Sequence, residues 1–366
     1  MGQRLQWETD GAAWPHRAAS RFVDAGGVRW HVQVLYGAAQ YSPAAAPSLW
    51  LLHGTGAASH SWRHLAPLLL GCGPVVVPDL PGHGFSSPLP APQQSLTGMA
   101  AALAALAQAL ALPPGVLIGH SAGAALAVQA VQAGLLAPAQ IIGINAALLP
   151  FDGLAGQVLG PMARWMSRQP LLPRLLARTA RDGAAVRRLV QATGSRLDAS
   201  GLALYGQLIR SPAHVAGALA MMSDWDLRAL WHNLPRLPVP LSLLVGAQDS
   251  TVPPAQAQRT AQRLPGTRQR VLPGLGHLGV WAAEGRRLQR ARNRQRRVSP
   301  PAPRGQALGL SVLPSGIRFS HVWLRRASRT LRRLLPPTLL AHEEAAATVA
   351  AALQPWLASP PQHAVR

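Results

Sequence analysis

The chain alternates hydrophobic and polar side chains first over residues 29–36 (RWHVQVLY), the period-two pattern of a strand with one buried face, and an early antiparallel strand is expected there. The later apolar segments are continuous rather than alternating. Residues 48–52 (SLWLL) stop at His53-Gly54-Thr55-Gly56, and residues 75–78 (VVVP) stop at Asp79-Leu80-Pro81-Gly82-His83-Gly84. Further short runs occupy 116–118, 141–145, 241–245 and 269–272. Short uniform apolar runs ending in glycine-rich or polar loops are the pattern of strands covered on both faces. Between them lie helical segments: 96–112, with Ser95 as its cap, an alanine-rich helix to about Ala133, and a long Arg- and Leu-rich helical stretch over 152–234. Alternating strands and helices predict an α/β fold with a mostly parallel central sheet and helices on both faces. No internal repeat is visible.

Composition narrows the picture. The 366 residues allow one large domain, or a core domain with an insertion. All 35 cationic side chains are Arg, and with 13 acids the net charge is +22. A hydrophobic content of 48% is too high for a disordered polycation. The charge is also uneven: residues 279–340 hold 14 Arg against one acid, Glu284, whereas residues 80–151 hold no charged side chain at all. The longest mainly apolar run in that uncharged stretch, 99–112, falls short of the roughly 20 residues of a spanning helix. A buried core is the expectation. The single Cys72 excludes a disulfide framework and a cysteine-built zinc site. No H-E-x-x-H spacing occurs, and a P-loop is impossible without Lys, so no metal and no cofactor are expected. The first residues, MGQRLQWETDGAAWP, contain no apolar signal region, and a cytoplasmic location is expected.

The candidate chemistry starts at Gly119-His120-Ser121-Ala122-Gly123, a G-x-S-x-G between a buried strand and an alanine-rich helix. That context makes Ser121 a candidate nucleophile on a tight strand–turn–helix elbow; the plain alternative is an ordinary turn with an incidental serine. A serine hydroxyl needs a base to take its proton and an acid to orient the base. Asp249 lies just beyond the strand 241–245, and His277 lies in a glycine-flanked loop after 269–272, in the order Ser, Asp, His that the elbow requires. Asp249 could instead be a solvated turn residue. Oxyanion donors are expected from the backbone N–H groups of Ala122 and of the 53–56 loop, at Thr55. His83 and His120 read as structural or pocket-lining, and His342 is a weaker candidate base because no strand and loop precede it.

The motifs LLHGTG, PDLPGHGFS, GHSAG, LLVGAQDSTVPP and GLGH, in that order, resemble the α/β-hydrolase superfamily over residues 28–278 and the last helix. The runs WPHRAASRFVDAGGVRWHVQ, INAALLPFDGLAG and HVAGALAMMSDWDL are similar to the α/β-hydrolases encoded with bacteriochlorophyll biosynthesis genes in purple phototrophs, a family labelled magnesium-chelatase accessory protein. The resemblance implies Ser121, Asp249 and His277 as a catalytic triad, Thr55 and Ala122 at the oxyanion hole, and a tetrapyrrole setting. It further implies a small lipophilic substrate, with a tetrapyrrole and magnesium chelatase as candidate partners and the periphery of the photosynthetic membrane as a candidate place of work. Nucleic acid is not an expected partner.

One departure stands out. In the family GLGHL runs directly into AHEE, whereas here the Arg-rich residues 279–340 intervene, and joining Leu278 to Ala341 restores a chain of 304 residues. That block reads as an insertion or an out-of-frame translated stretch, its rival being a basic arm for nucleic acid or anionic lipid. The expected organisation is a hydrolase core at 21–149, an inserted helical cap at 150–237, core again at 238–278, the block at 279–340 and a final core helix at 341–358. Met162, Trp165, Met166, Leu171, Leu172, Met221, Met222 and Trp225 give that cap soft apolar surface, suited either to a bulky lipophilic substrate or simply to packing the cap. The expected activity is hydrolysis of an ester or related acyl bond, with a non-catalytic porphyrin- or chelatase-binding accessory as the alternative.

Overall fold

The computed structural model describes residues 3–37, 47–150, 169, 171–179, 182–278 and 345–358. Eight strands form one sheet: β1 (Ser20–Ala25), β2 (Val28–Leu35), β3 (Ser48–Leu52), β4 (Val75–Pro78), β5 (Pro114–His120), β6 (Gln140–Ile144), β7 (Leu241–Gly246) and β8 (Arg268–Leu272). Their order across the sheet is β1-β2-β4-β3-β5-β6-β7-β8. From β4 to β8 the neighbours are parallel, and β1 and β2 form an antiparallel edge.

The uniform apolar runs divide between the two faces of the sheet. Trp50 and Leu52 of β3 join Leu117, Ile141, Leu243 and Val245 in one core cluster, under the helices Leu96–Leu110 and Ala122–Gln132. Leu49 and Leu51 join Val116, Ile118, Ile142 and Leu244 in a second cluster on the opposite face. Successive strand side chains point to opposite faces, so a strand buried on both sides is apolar at nearly every position.

Two local features differ from the sequence expectation. Strand β1 was not anticipated, because SRFVDA interleaves polar residues and is only partly buried. Its signal was the pair Gly26-Gly27 at φ 57° and 77°, a two-residue turn that returns the chain from β1 into β2. The stretch between β6 and β7 is also not one continuous helical run. Among the described residues it forms Leu172–Thr179, Gly183–Gln191, Ala199–Ile209, Pro212–Asp224 and Leu227–Asn233. Asp182, Asp198, Ser211 and Asp226 each cap the helix that follows by accepting a backbone N–H, so these polar residues set where each helix begins.

The chain on either side of residues 279–344 returns to one place. Leu275 and Leu278 share a core cluster with Val349 and Leu353 of the helix Ala345–Ala358, and Gln140 donates to the Trp356 carbonyl at 2.7 Å. The Arg-rich segment itself lies outside the described residues, as do His342, Met162, Trp165 and Met166. Among the described residues no helix is long and apolar enough to cross a membrane. Leu353 is fully buried, so Leu353→Ala is expected to destabilise the fold by about 2–5 kcal/mol in a denaturant titration, whereas a final helix lying outside the core would leave the midpoint unchanged.

Candidate active site

Strand β5 runs straight into Ser121, which adopts φ 50° and ψ −116°, a strained conformation for a residue with a side chain. The strain is held from both ends. Ser121 N–H donates to Ile144 O at 3.0 Å, and its carbonyl accepts from Ala124 and Ala147 at 3.1 and 3.2 Å. Glycine is sterically required on both sides: a Cβ at Gly119 would strike the Ala124 backbone, and one at Gly123 would strike the Leu52 and His53 carbonyls at the end of β3. The side chain does not cap its own helix, and among the described residues Ser121 Oγ makes no hydrogen bond.

Strand β5 has β3 on one side and β6 on the other, and the chain leaves β3 toward β4 in the opposite direction. Such a reversal opens a crevice beyond the carboxyl ends of the strands. The 53–56 loop sits there. A Cβ on Gly54 would lie 3.0 Å from Ser121 Cβ. Ala57 N–H closes the turn on Gly54 O at 3.2 Å, with Gly56 at φ 71° and Thr55 at negative φ, the signature of a type II turn. Neither the Thr55 nor the Ala122 backbone N–H has a hydrogen-bond partner among the described residues.

His53 stiffens the turn from below. Its Nε2 accepts from Leu80 N–H at 2.9 Å while Nδ1 donates to Gly54 O at 2.8 Å, a pattern only the neutral ring can make, and burial lowers its pKa.

Asp249 and His277 come together directly. Nδ1 of His277 lies 2.7 Å from Asp249 Oδ2, and both side chains are buried. The other carboxylate oxygen, Oδ1, accepts the backbone N–H groups of Thr251 and Val252, each at 2.8 Å. Asp249 is therefore a fully engaged carboxylate rather than a solvated turn residue. The His277 loop is fixed by Thr193 O, which accepts His277 N–H at 3.2 Å, and by Ser195 Oγ, which accepts Leu278 N–H at 2.6 Å. Ser121 meets this pair through its neighbour: the His120 ring lies 4.7 Å from that of His277, and His120 Nε2 donates to the His277 carbonyl at 2.9 Å. Burial, and then the nearby His277, push the His120 pKa well down.

Two side chains that the sequence did not point to complete the frame. Asn145, at φ 47° just beyond β6, donates from Nδ2 to His277 O at 2.9 Å and accepts Gly246 N–H on Oδ1 at 2.8 Å. It thus ties the His277 loop to the end of β7, the strand that leads to Asp249. The available signal was an Asn, a residue tolerant of positive φ, directly after a buried strand. Asp79 is buried with His31 Nδ1 at 2.8 Å and also accepts the backbone N–H groups of Ser59 and Phe85 at 2.6 and 3.0 Å. Burial alone would raise the Asp79 pKa, but His31 and these donors hold it well below the usual carboxylate range. This second His–Asp pair braces loops. Among the described residues no group of three or more His, Cys, Asp or Glu could hold a metal ion.

The alpha/beta hydrolase family model matches residues 51–291. The chain belongs to the alpha/beta hydrolase family. It is 40% identical over 268 residues to the magnesium-chelatase 30 kDa subunit of Rhodobacter capsulatus, spanning 73% of this chain and 91% of that protein. It is 29% identical over 260 residues to a pimeloyl-[acyl-carrier protein] methyl ester esterase of Neisseria meningitidis, 66% of this chain and 93% of the esterase. Among solved structures, an esterase from Thermogutta terrifontis superposes with a TM-score of 0.57 at 24% identity, over 76% of this chain and 99% of that one. An alpha/beta hydrolase fold protein from Burkholderia ambifaria gives 0.58 at 21%, over 76% and 94%. These structural likenesses bear out the expected fold class.

Asn145→Ala is expected to cost about 1–3 kcal/mol in equilibrium unfolding, because Gly246 N–H is left buried without its acceptor. Acidification supplies a second test. Burial lowers the pKa of His53, His60, His83 and His120, and takes His214 to about 4. Below the ordinary histidine pKa the unfolded chain therefore binds protons that the folded chain does not. Stability is fully present above about pH 6.5 and is lost as pH falls toward 4, by about 1.4 kcal/mol per pH unit for each imidazole that stays neutral. Thermal midpoints that stay flat from pH 7 to pH 4.5 would contradict this.

Proposed function

We propose that the protein is a serine hydrolase acting on an ester or related acyl bond of a lipophilic small molecule. The observation that carries this reading is the presence of three features beyond the carboxyl ends of the strands. They are a strained serine whose hydroxyl is not spent on its helix, a buried His277–Asp249 pair at 2.7 Å, and N–H groups at Thr55 and Ala122 that have no partner among the described residues. His277 would take the Ser121 proton as the oxygen attacks the acyl carbon, and would then return it to the leaving alkoxide. Asp249 would hold the ring and stabilise the imidazolium, and Thr55 and Ala122 N–H groups would receive the oxyanion. Water activated by the same imidazole would then release the acid. In the conformation described here Ser121 and His277 are not hydrogen-bonded, and a substrate complex would close that gap.

We read the helices between β6 and β7 as the cap, with the segment 279–340 inserted between the base loop and the last helix. The return of both flanks of that segment to one core cluster supports the insertion. Within the cap Met221 is buried against the core, whereas Leu171 and Met222 are largely exposed, so the candidate apolar residues do not form one surface. A tetrapyrrole setting is supported by the relative in Rhodobacter capsulatus named as a magnesium-chelatase subunit. The same name favours a second reading, an accessory protein that binds without turnover.

A fluorophosphonate probe and a p-nitrophenyl ester separate the two. Under the hydrolase reading the probe labels Ser121, and Ser121→Ala or His277→Ala lowers kcat/KM by about 10³-fold or more. A folded wild-type protein that neither labels nor turns over belongs to the binding reading.

A further inference from the structure

The turn Ala192-Thr193-Gly194-Ser195 follows the helix Gly183–Gln191 and touches the loops of both His277 and Asp249. On the side of His277, Thr193 O accepts His277 N–H at 3.2 Å and the buried Ser195 Oγ accepts Leu278 N–H at 2.6 Å. On the side of Asp249, the Ser250 hydroxyl donates to Ala192 O at 3.0 Å. Gly194 lies between the two loops at φ 74°. A Cβ on it would strike the Gln248 carbonyl, and a Cβ on Gly276 would strike the carbonyl of Gly194 itself. The turn is anchored from behind, because Val186 and Val190 of its helix share a core cluster with Leu272, Leu275 and Leu278.

The two peptide groups that flank His277 are thereby held at opposite ends. Their carbonyls, Gly276 O and His277 O, accept Asn145 Nδ2 at 3.3 and 2.9 Å, and His277 O also accepts His120 Nε2 at 2.9 Å. Their N–H groups both go to the turn. A planar peptide pinned by its oxygen alone can still swing about that oxygen, and the Cα that carries the imidazole swings with it. Bonds at the N–H end remove that freedom.

We infer that this turn is the positioning element of the His277–Asp249 pair. Thr193 O and Ser195 Oγ set the tilt of the His277 backbone, while Ala192 O and Gly194 set the Asp249 loop against it. Within the turn Ser195 acts through its side chain, so it is the positioning residue that a substitution can remove. The inference rests on the reading of His277 as the general base and Asp249 as the acid that orients it. A tilt at the His277 Cα is carried out along the side chain to the ring, where the 2.7 Å contact between Nδ1 and Asp249 Oδ2 has little room for it.

Three variants test the turn. Ser195→Ala removes the acceptor for Leu278 N–H, Ser195→Thr keeps a hydroxyl there, and Gly194→Ala wedges the turn off Gln248 without touching Ser195. One readout is the proton NMR signal of His277 Nδ1–H, assigned by its absence in His277→Gln. A short bond to a carboxylate places that proton far downfield, and a loosened bond moves it upfield or loses it to exchange. The signal is expected to move or vanish in Ser195→Ala and Gly194→Ala and to stay in Ser195→Thr. With a p-nitrophenyl ester, the first two are expected to lower kcat by about 10–100-fold with KM changed less than about threefold. Ser195→Thr is expected to keep kcat within about fivefold of wild type.

A Ser195→Ala protein with the kcat of an active wild type, whatever its melting temperature, overturns the proposal and leaves the serine hydrolase reading intact. A Thr variant as slow as the Ala variant does the same. Should the wild type neither turn over nor label with the fluorophosphonate, that reading fails first, and the Nδ1–H signal then decides the turn alone. A signal displaced in Ala and kept in Thr supports the proposal, and one unmoved in Ala overturns it.

Discussion

The arrangement depends on one close approach of backbone to backbone, where Gly123 passes the carbonyls of Leu52 and His53 at the end of β3. Any side chain at that position would push the helix Ala122–Gln132 away from the sheet. With the helix pressed in, the chain has too little length to leave β5 by an unstrained turn, and Ser121 is forced to φ 50°. In that conformation the hydroxyl does not cap the helix. The same contact fixes the distance between β3 and the elbow, which is why Gly54 can lie against Ser121 Cβ. The strain is local, and its cost is offset by the fully buried apolar faces of β3, β5 and β6 around it.

Beyond the strand ends, where the ladder of sheet hydrogen bonds stops, buried polar side chains take over the work of positioning. Asn145 and His120 hold the His277 carbonyl, Asp79 gathers Ser59 and Phe85, and His53 and His214 grip opposite ends of one turn. The two His–Asp pairs show how little a short distance says alone. His31–Asp79 at 2.8 Å and His277–Asp249 at 2.7 Å are nearly identical contacts. Only the second lies beside the candidate nucleophile, since the His277 ring sits 4.7 Å from that of His120, the residue that precedes Ser121, whereas His31 is packed among Trp7, Phe22 and Phe85.

What could be read from the chain follows from the range of each interaction. Strands β3, β4, β6 and β7 were legible because burial on both faces leaves them almost wholly apolar, and the helix Leu96–Leu110 because Ser95 caps it by accepting Gly98 N–H. The pairing of Asp249 with His277 could be anticipated from its order along the chain and its place after successive strands. Strand β1 was harder to see, since an edge strand alternates weakly and only its Gly26-Gly27 turn announces it. The partners of Asn145 and His214 were not legible. They lie 101 and 132 residues away for Asn145, and 130 and 158 for His214, and nothing local marks a side chain whose purpose is to hold a distant carbonyl.

The uncharged stretch from residue 80 to 151 gains a physical meaning from these partners. It contains β5, the elbow and β6, so the surroundings of Ser121 are built from apolar side chains, backbone dipoles and histidines kept neutral by burial. In such a medium a fixed N–H dipole acts on a developing negative charge far more strongly than it would in water. A nearby arginine would compete for that charge in the ground state and would hold a carboxylate product. None of the 35 arginines lies in the segment that carries Ser121, and the carboxylate that meets the His277 ring is that of Asp249, already engaged by backbone donors on its other oxygen. Charge in this chain is abundant, yet the candidate chemistry is placed where the sequence keeps it out.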